Sequence, residues 1–157
     1  MLQDQVHIVP FESPYAKDFA RLNIEWLEKF FAVEPHDVEL MEDCEANIIG
    51  KGGHIFFAKL GDEVVGTVAL IPLVKGVFEL GKMAVSSQYQ GLKIGQLLMK
   101  RCIDFGRGQG WSKIVLYSNT TLQNAIYIYR KYGFVEVEME ENPPYERGDI
   151  KMEFVIE

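Results

Sequence analysis

Hydrophobic and polar positions change period several times along the chain, and each change marks an element. A β-forming run, Val6–Pro10, comes first. Ser13-Pro14 then starts a helix, with Ser13 as N-cap and Pro14 at the first helical position. Phe19, Leu22, Trp26, Leu27 and Phe30 recur at helical spacing after it. Pro35 ends or interrupts that helix, and an acidic second helix is expected over residues 37–47. Residues 50–53 read as a loop. His54–Leu60 reads as a strand, Gly61-Asp62 as a hairpin turn, and residues 64–70 as the next strand. Lys75-Gly76 turns the chain into a third run, Val77–Val85. The middle of the chain is therefore an antiparallel meander.

Downstream the period lengthens. Ile94, Leu97, Leu98, Cys102 and Phe105 form a helical apolar stripe, which Gly106, Gly108 and Gly110 are expected to stop. Residues 113–117 are a short β-rich run. Leu122, Ala125, Ile126 and Tyr129 form a second helical stripe, with Gly133 as its C-terminal cap. Residues 134–139 and 150–156 alternate as strands. The second half thus reads β-loop-α-β-α-β-β. Two strands flanking a helix imply a parallel pair joined by a right-handed crossover. A mixed α+β sheet with helices on its faces follows.

Length and composition narrow the function classes. At 157 residues and 48% hydrophobic, the chain suits one cored domain over residues 1–157 without a disulfide framework. No apolar run approaches the roughly 20 residues that span a bilayer, and the first residues lack the pattern of a secretory leader. A soluble, cytoplasmic protein with no membrane partner is expected. Cys44 and Cys102 read as reduced structural thiols. His7, His36 and His54 show no ligand spacing, so no metal is expected. The formal charge of −7 argues against nucleic acid, which requires a basic footprint. It suits a cationic amine only weakly, since most such surfaces are simply solvated.

The strand ending at Val85 runs through Ser86-Ser87-Gln88-Tyr89-Gln90-Gly91-Leu92-Lys93-Ile94-Gly95 directly into a helix. Strand, glycine-bearing turn and helix start together make an anion site, because free N–H groups and the helix dipole converge there. The segment resembles the acyl-CoA loop of the GCN5-related N-acetyltransferase (GNAT) superfamily, Gln/Arg-x-x-Gly-x-Gly/Ala. Gln90 and Gly95 match its ends. Lys93 stands where the first glycine belongs; it keeps a backbone donor and brings an ammonium, but a glycine-only conformation is not expected of it. A second stretch resembles the superfamily's other motif: Asn124-Ala125 followed by Ile128-Tyr129-Arg130-Lys131-Tyr132-Gly133-Phe134. Together the two cover residues 78–135.

The resemblance implies a GNAT-like α/β/α fold: a mostly antiparallel sheet of six to seven strands with a splayed parallel pair and helices on both faces. It implies acetyl-CoA as acyl donor, and Met83, Ala84 and Val85 would line its pantetheine arm. One of their N–H groups could also hydrogen-bond the thioester carbonyl. Gln90, Gly91, Leu92, Lys93, Ile94, Gly95 and Gln96 would hold its pyrophosphate, Asn124 would hydrogen-bond the pantetheine arm or its neighbourhood, and Asn119 would be a further cofactor-binding residue. Tyr129 would protonate the departing thiolate. Tyr127 and Tyr132 match no such role. Gly81 is a candidate bulge position. Glu79 sits among apolar neighbours, where a carboxylate is costly unless it faces a cleft or a partner. It could take the proton of an ammonium acceptor, or form an ion pair with Lys82. Direct attack in a ternary complex is favoured over a cysteine nucleophile, because neither cysteine has an evident base.

The acceptor is expected to be an amine of a small molecule or peptide. By the resemblance, its site would draw on residues 25–53 and 140–149. Glu34, Asp37, Glu39, Glu42, Asp43 and Glu45 could attract a cation, although a solvated acidic helix is the simpler reading. The stiff loop 142–149 could wall the acceptor or shape a homodimer contact. A non-catalytic acyl-CoA-binding or protein-interaction domain of the same fold is the alternative, one that could dispense with Glu79 and Tyr129. A dinucleotide-binding loop is excluded by the missing GxGxxG spacing after an early strand.

Overall fold

The computed structural model describes residues 5–156. Among these residues seven strands form a single sheet: β1 (Val6–Pro10), β2 (His54–Leu60), β3 (Glu63–Val74), β4 (Val77–Val85), β5 (Lys113–Ser118), β6 (Val135–Val137) and β7 (Ile150–Val155). Their spatial order is β1-β2-β3-β4-β5-β7-β6. Every neighbouring pair is antiparallel except β4 and β5, which run parallel. Among the described residues five helices complete the fold: α1 (Ala16–Phe30), α2 (Pro35–Glu42), α3 (Cys44–Asn47), α4 (Ile94–Gln109) and α5 (Gln123–Lys131). No helix among these residues is long and apolar enough to cross a membrane.

Strand alternation divides the core into two layers. Along β2, Phe56 and Ala58 join Leu98 and Cys102 of α4 on one face. Ile55 and Phe57 join Phe19 and Leu22 of α1, with Leu40 and Cys44, on the other. Successive strand side chains point to opposite faces, so one strand feeds both layers. Helices therefore cover both faces, α1 to α3 on one and α4 and α5 on the other.

Several local expectations shift. Ser13 is not a helix cap: it lies in a 3₁₀ turn, Ser13–Tyr15, and its hydroxyl donates to Glu45 at 3.0 and 3.1 Å. Pro35 does not end α1, which stops at Phe30. Pro35 instead opens α2, where its missing N–H costs nothing. The acidic helix breaks at Asp43, whose carboxylate accepts the Ala46 N–H and caps α3. Helix α4 continues through Gly106 and Gly108 and ends before Gly110, which takes the left-handed conformation. At Gly106 a Cβ would sit 3.0 Å from Trp111, so that glycine serves close packing rather than termination.

Candidate active site

Strands β4 and β5 pair over only three residues each, from Val77 with Lys113 to Glu79 with Val115. Beyond Glu79 they separate. The cause lies on the other edge of β4, where Thr67 pairs with Ala84 but Ala69 pairs with Gly81. One residue of β3 thus faces two of β4, a bulge at Lys82-Met83 that turns the strand outward. Lys82 carries the strain at φ 52°. The bulge lies one residue beyond the expected Gly81. Gly81 matters in another way. A Cβ there would come within 2.9 Å of the Glu79 carboxylate, so the missing side chain leaves that carboxylate its space.

The separated strands open into a groove of about 600 Å³ that also touches α1, α5 and the loop before β7. A recess of about 290 Å³ continues from it to the start of α4. Met83, Val85, Gln90, Asn124 and Tyr129 border both.

At the recess end, Gly91 (φ 83°) and Lys93 (φ 58°) both adopt positive φ. Lys93 therefore does take up a backbone state that favours glycine, at ψ 29°, and provides no side-chain cap for α4. A left-handed lysine costs roughly 1–2 kcal/mol relative to its helical state. The first intrahelical bond at this end runs from the Leu97 N–H to the Lys93 carbonyl, leaving the N–H groups of Ile94, Gly95 and Gln96 outside the helical ladder. Gln90 fixes the loop by donating to the carbonyls of Val85 (3.2 Å) and Ser86 (3.3 Å). Tyr132, without an expected role, donates to the Gln96 side chain at 3.2 Å. Leu92 packs on the core and Ala84 is buried in the α1-side layer, so neither side chain borders the recess.

Glu79 is 3% exposed. Burial pushes its carboxyl up to about 7, against the opposing pull of the Lys82 charge and of a hydrogen bond from Tyr145. It is not ion-paired with Lys82. That ammonium reaches Asp37 at 2.6 Å and donates to the Tyr145 hydroxyl at 3.1 Å, and the hydroxyl in turn donates to Glu79 at 3.4 Å. Burial draws Lys82 below its ordinary value, with Asp37 opposing. Asp37 is fully buried rather than solvated, and it also receives two bonds from Arg147, at 2.7 and 2.8 Å. Arg147 further contacts Glu34 at 3.1 Å. The loop 142–149 thus walls the groove with Tyr145 and Arg147.

Tyr129 is half-buried, and burial pushes its phenol up to about 12. It keeps its proton at neutral pH and is a donor. Asn124 also borders both recesses. Asn119 reaches the groove, but its amide donates to the Arg147 carbonyl at 2.6 Å and its oxygen accepts from Thr121, so it holds the loop in place.

The sequence signals Glu79, a carboxylate in an apolar strand. Tyr145 and Arg147 are legible there only as members of a stiff loop. The partnership of Lys82 with Asp37, rather than with Glu79, has no local signal, because it spans 45 residues and depends on the bulge.

A model described as the acetyltransferase (GNAT) family matches residues 19–134. N-acetyltransferase 8F1 of Rattus norvegicus is 31% identical over 99 residues, covering 60% of this chain and 45% of the relative. N-acetyltransferase 8 of Mus musculus is 35% identical over 89 residues, covering 54% and 39%. The chain thus spans less than half the length of these relatives. Among solved structures, a GNAT-family acetyltransferase from Staphylococcus aureus Mu50 superposes with a TM-score of 0.85 at 23% identity, covering 97% of this chain and 99% of that one. The PaiA N-acetyltransferase of Thermoplasma acidophilum, solved in complex with coenzyme A, gives 0.72 at 16% identity, covering 96% and 98%. These two likenesses concern the fold.

Proposed function

The chain belongs to the acetyltransferase (GNAT) family, and from that premise we propose that it transfers an acetyl group from acetyl-CoA to a primary amine of a small molecule or peptide, by direct attack within a ternary complex. One observation carries the reading. Strands β4 and β5 part just past Glu79, so a buried carboxylate and an uncapped helix start open into one continuous groove.

The residues present fit acetyl-CoA. The free N–H groups of Ile94, Gly95 and Gln96 and the Lys93 ammonium suit a diphosphate. Gly95 offers a surface without a side chain, where a Cβ would stand 3.5 Å from the Met83 sulfur. Met83 and Val85 flank the way from that end towards Glu79, along the part of β4 that lies beyond its pairing with β5. The thioester supplies an activated acyl group.

The rest is work for the chain's own side chains. An ammonium must lose a proton before it can attack, and Glu79, whose carboxyl burial pushes up to about 7, is placed to accept it near neutral pH. Backbone N–H groups of Met83, Ala84 or Val85 stabilise the charge that develops on the acyl oxygen. Tyr129 holds a proton for the departing sulfur. Cys102 is fully buried with its thiol pushed far up by burial, which supports direct attack over a covalent cysteine route.

Thiol release from acetyl-CoA across a panel of amines tests the proposal. Gly95→Trp is expected to abolish coenzyme A binding in calorimetry while the far-UV spectrum stays unchanged. Wild-type protein that binds no coenzyme A species would overturn the reading.

A further inference from the structure

We propose that the acceptor is a monoamine with an aromatic or similarly broad apolar body, seated on Trp26, Phe30 and Phe31. This rests on the acetyl-transfer reading and specifies its second substrate. Helix α1 ends at Phe30, and Phe31 leaves it in extended conformation, so three aromatic side chains gather at one helix end. Trp26 lies 5.3 Å from Phe30 and 5.6 Å from Phe31, ring centre to ring centre, with the planes tilted by 44° and 42°. None of the three is fully buried, and Phe30 is 47% exposed. All three line the same groove as Glu79. A single exposed aromatic needs no explanation, whereas a contiguous cluster bordering a reactive carboxylate marks a binding surface.

Charge decides between an apolar body and a polyamine. Among the described residues lining the groove, Glu79 is the one carboxylate, while Lys29, Lys82 and Arg147 are cations. Asp37 and Glu34 stand nearby, but Asp37 is taken by Lys82 and Arg147, and Glu34 by Arg147. Lys29 already lies 5.3 Å over the Phe30 ring. The pairs of Asp37 and Glu34 compensate the two cations Lys82 and Arg147 as well as the two carboxylates, so a second ammonium would find no further free carboxylate among the described lining residues. One amine at Glu79 and an uncharged ring on the aromatic cluster satisfy both halves of the groove. The acidic residues of α2 and α3, which the sequence offered as an attraction for cations, contribute no lining carboxylate among the described residues.

The test compares phenethylamine with putrescine and spermidine as acceptors under saturating acetyl-CoA. In parallel, binding of phenethylamine to the protein–CoA complex is followed calorimetrically. The expected result is a kcat/KM for phenethylamine about tenfold or more above either polyamine. Phe30→Ala, at an exposed site that folding tolerates, should lower that preference about tenfold through KM. Trp26→Ala is expected to act in the same direction. Equal or better use of spermidine overturns the proposal and leaves acetyl transfer standing. So does a phenethylamine KM that neither variant changes. Absence of turnover with any amine, together with phenethylamine binding that Phe30→Ala weakens, sustains the aromatic seat and overturns the acetyl-transfer reading. Absence of both overturns both.

Discussion

In the proposed reaction Glu79 has to be buried and still exchange a proton near neutral pH, and its surroundings suit both demands. Burial raises its carboxyl to about 7, while the Tyr145 hydroxyl and the Lys82 charge keep it from rising further. A base is useful only when deprotonated, so kcat/KM should climb with pH through a limb near 7 that belongs to the free enzyme. Glu79→Gln should erase that limb and cost about a hundredfold in turnover. A variant that keeps the wild-type pH profile would exclude Glu79 as the base. Tyr129 faces the opposite demand. With its phenol pushed up to about 12 it never serves as a base at neutral pH, only as a donor. Tyr129→Phe should lower turnover roughly a hundredfold while the dissociation constant for acetyl-CoA, read by calorimetry, stays within about twofold. A matching loss in binding would make Tyr129 a wall of the groove rather than an acid.

At the scale of elements, the loop before α4 shows how much of the site the sequence disclosed. A strand, a glycine turn and an apolar stripe from Ile94 to Phe105 placed the helix start where it lies, because periodicity and glycine position are local signals. The meander was equally legible: β1, β2 and β4 begin and end where alternation put them. Less local features were legible only in part. The bulge, expected at Gly81, falls one residue later at Lys82-Met83 because register between β3 and β4 sets its position, and the Asp37–Lys82 pair follows from that register, so a short window of sequence gives the neighbourhood of the bulge but not the pair. Lys93 lies between these cases. The motif marks it as the departure, but only the backbone shows that it adopts the left-handed state itself, at φ 58°. Lys93→Gly should therefore relieve strain and raise unfolding free energy by about 0.5–1 kcal/mol in urea titration. It should also weaken coenzyme A binding by up to about fivefold, through loss of an exposed ammonium. Lys93→Ala separates the two effects, since it loses the charge and keeps the strain. Stability that falls in Lys93→Gly would mean that the lysine stem packs more than its conformation costs.

For the whole molecule, the cluster around Asp37 does what the two core layers cannot. The layers are held by apolar packing on either face of the sheet, whereas Asp37 ties α2 to the bulge of β4 through Lys82 and to the loop before β7 through Arg147. It also accepts the Glu34 N–H at 2.8 Å, which fixes the start of α2. Burial alone would raise this carboxyl, but the bonds from Arg147 and Lys82 prevail and hold it well below the ordinary carboxylate range. Removing it leaves the buried Lys82 charge without its partner, and breaking such a pair costs about 3–5 kcal/mol. Asp37→Ala should therefore lower the unfolding free energy by about that amount at pH 7, where a merely exposed pair would cost under about 1 kcal/mol. The pH dependence has a definite sign. Because the folded state lowers this carboxyl from its ordinary 3.8, its contribution is fully present above that pH and is lost as pH falls through the depressed folded value. Glu79 contributes in the opposite sense: raised to about 7, it stabilises the fold below about 4.5 and loses that contribution as pH rises through 7. Equilibrium unfolding from pH 3 to pH 8 should thus show the acid-side slope shrinking in Asp37→Asn and the decline towards neutral pH shrinking in Glu79→Gln. The carboxylate that lowers stability near neutral pH is also the one proposed as the proton acceptor in the groove. A Glu79→Gln protein that is more stable at pH 7 and also inactive would tie the two together, whereas one that is inactive and less stable would show that the carboxylate is there to hold the fold.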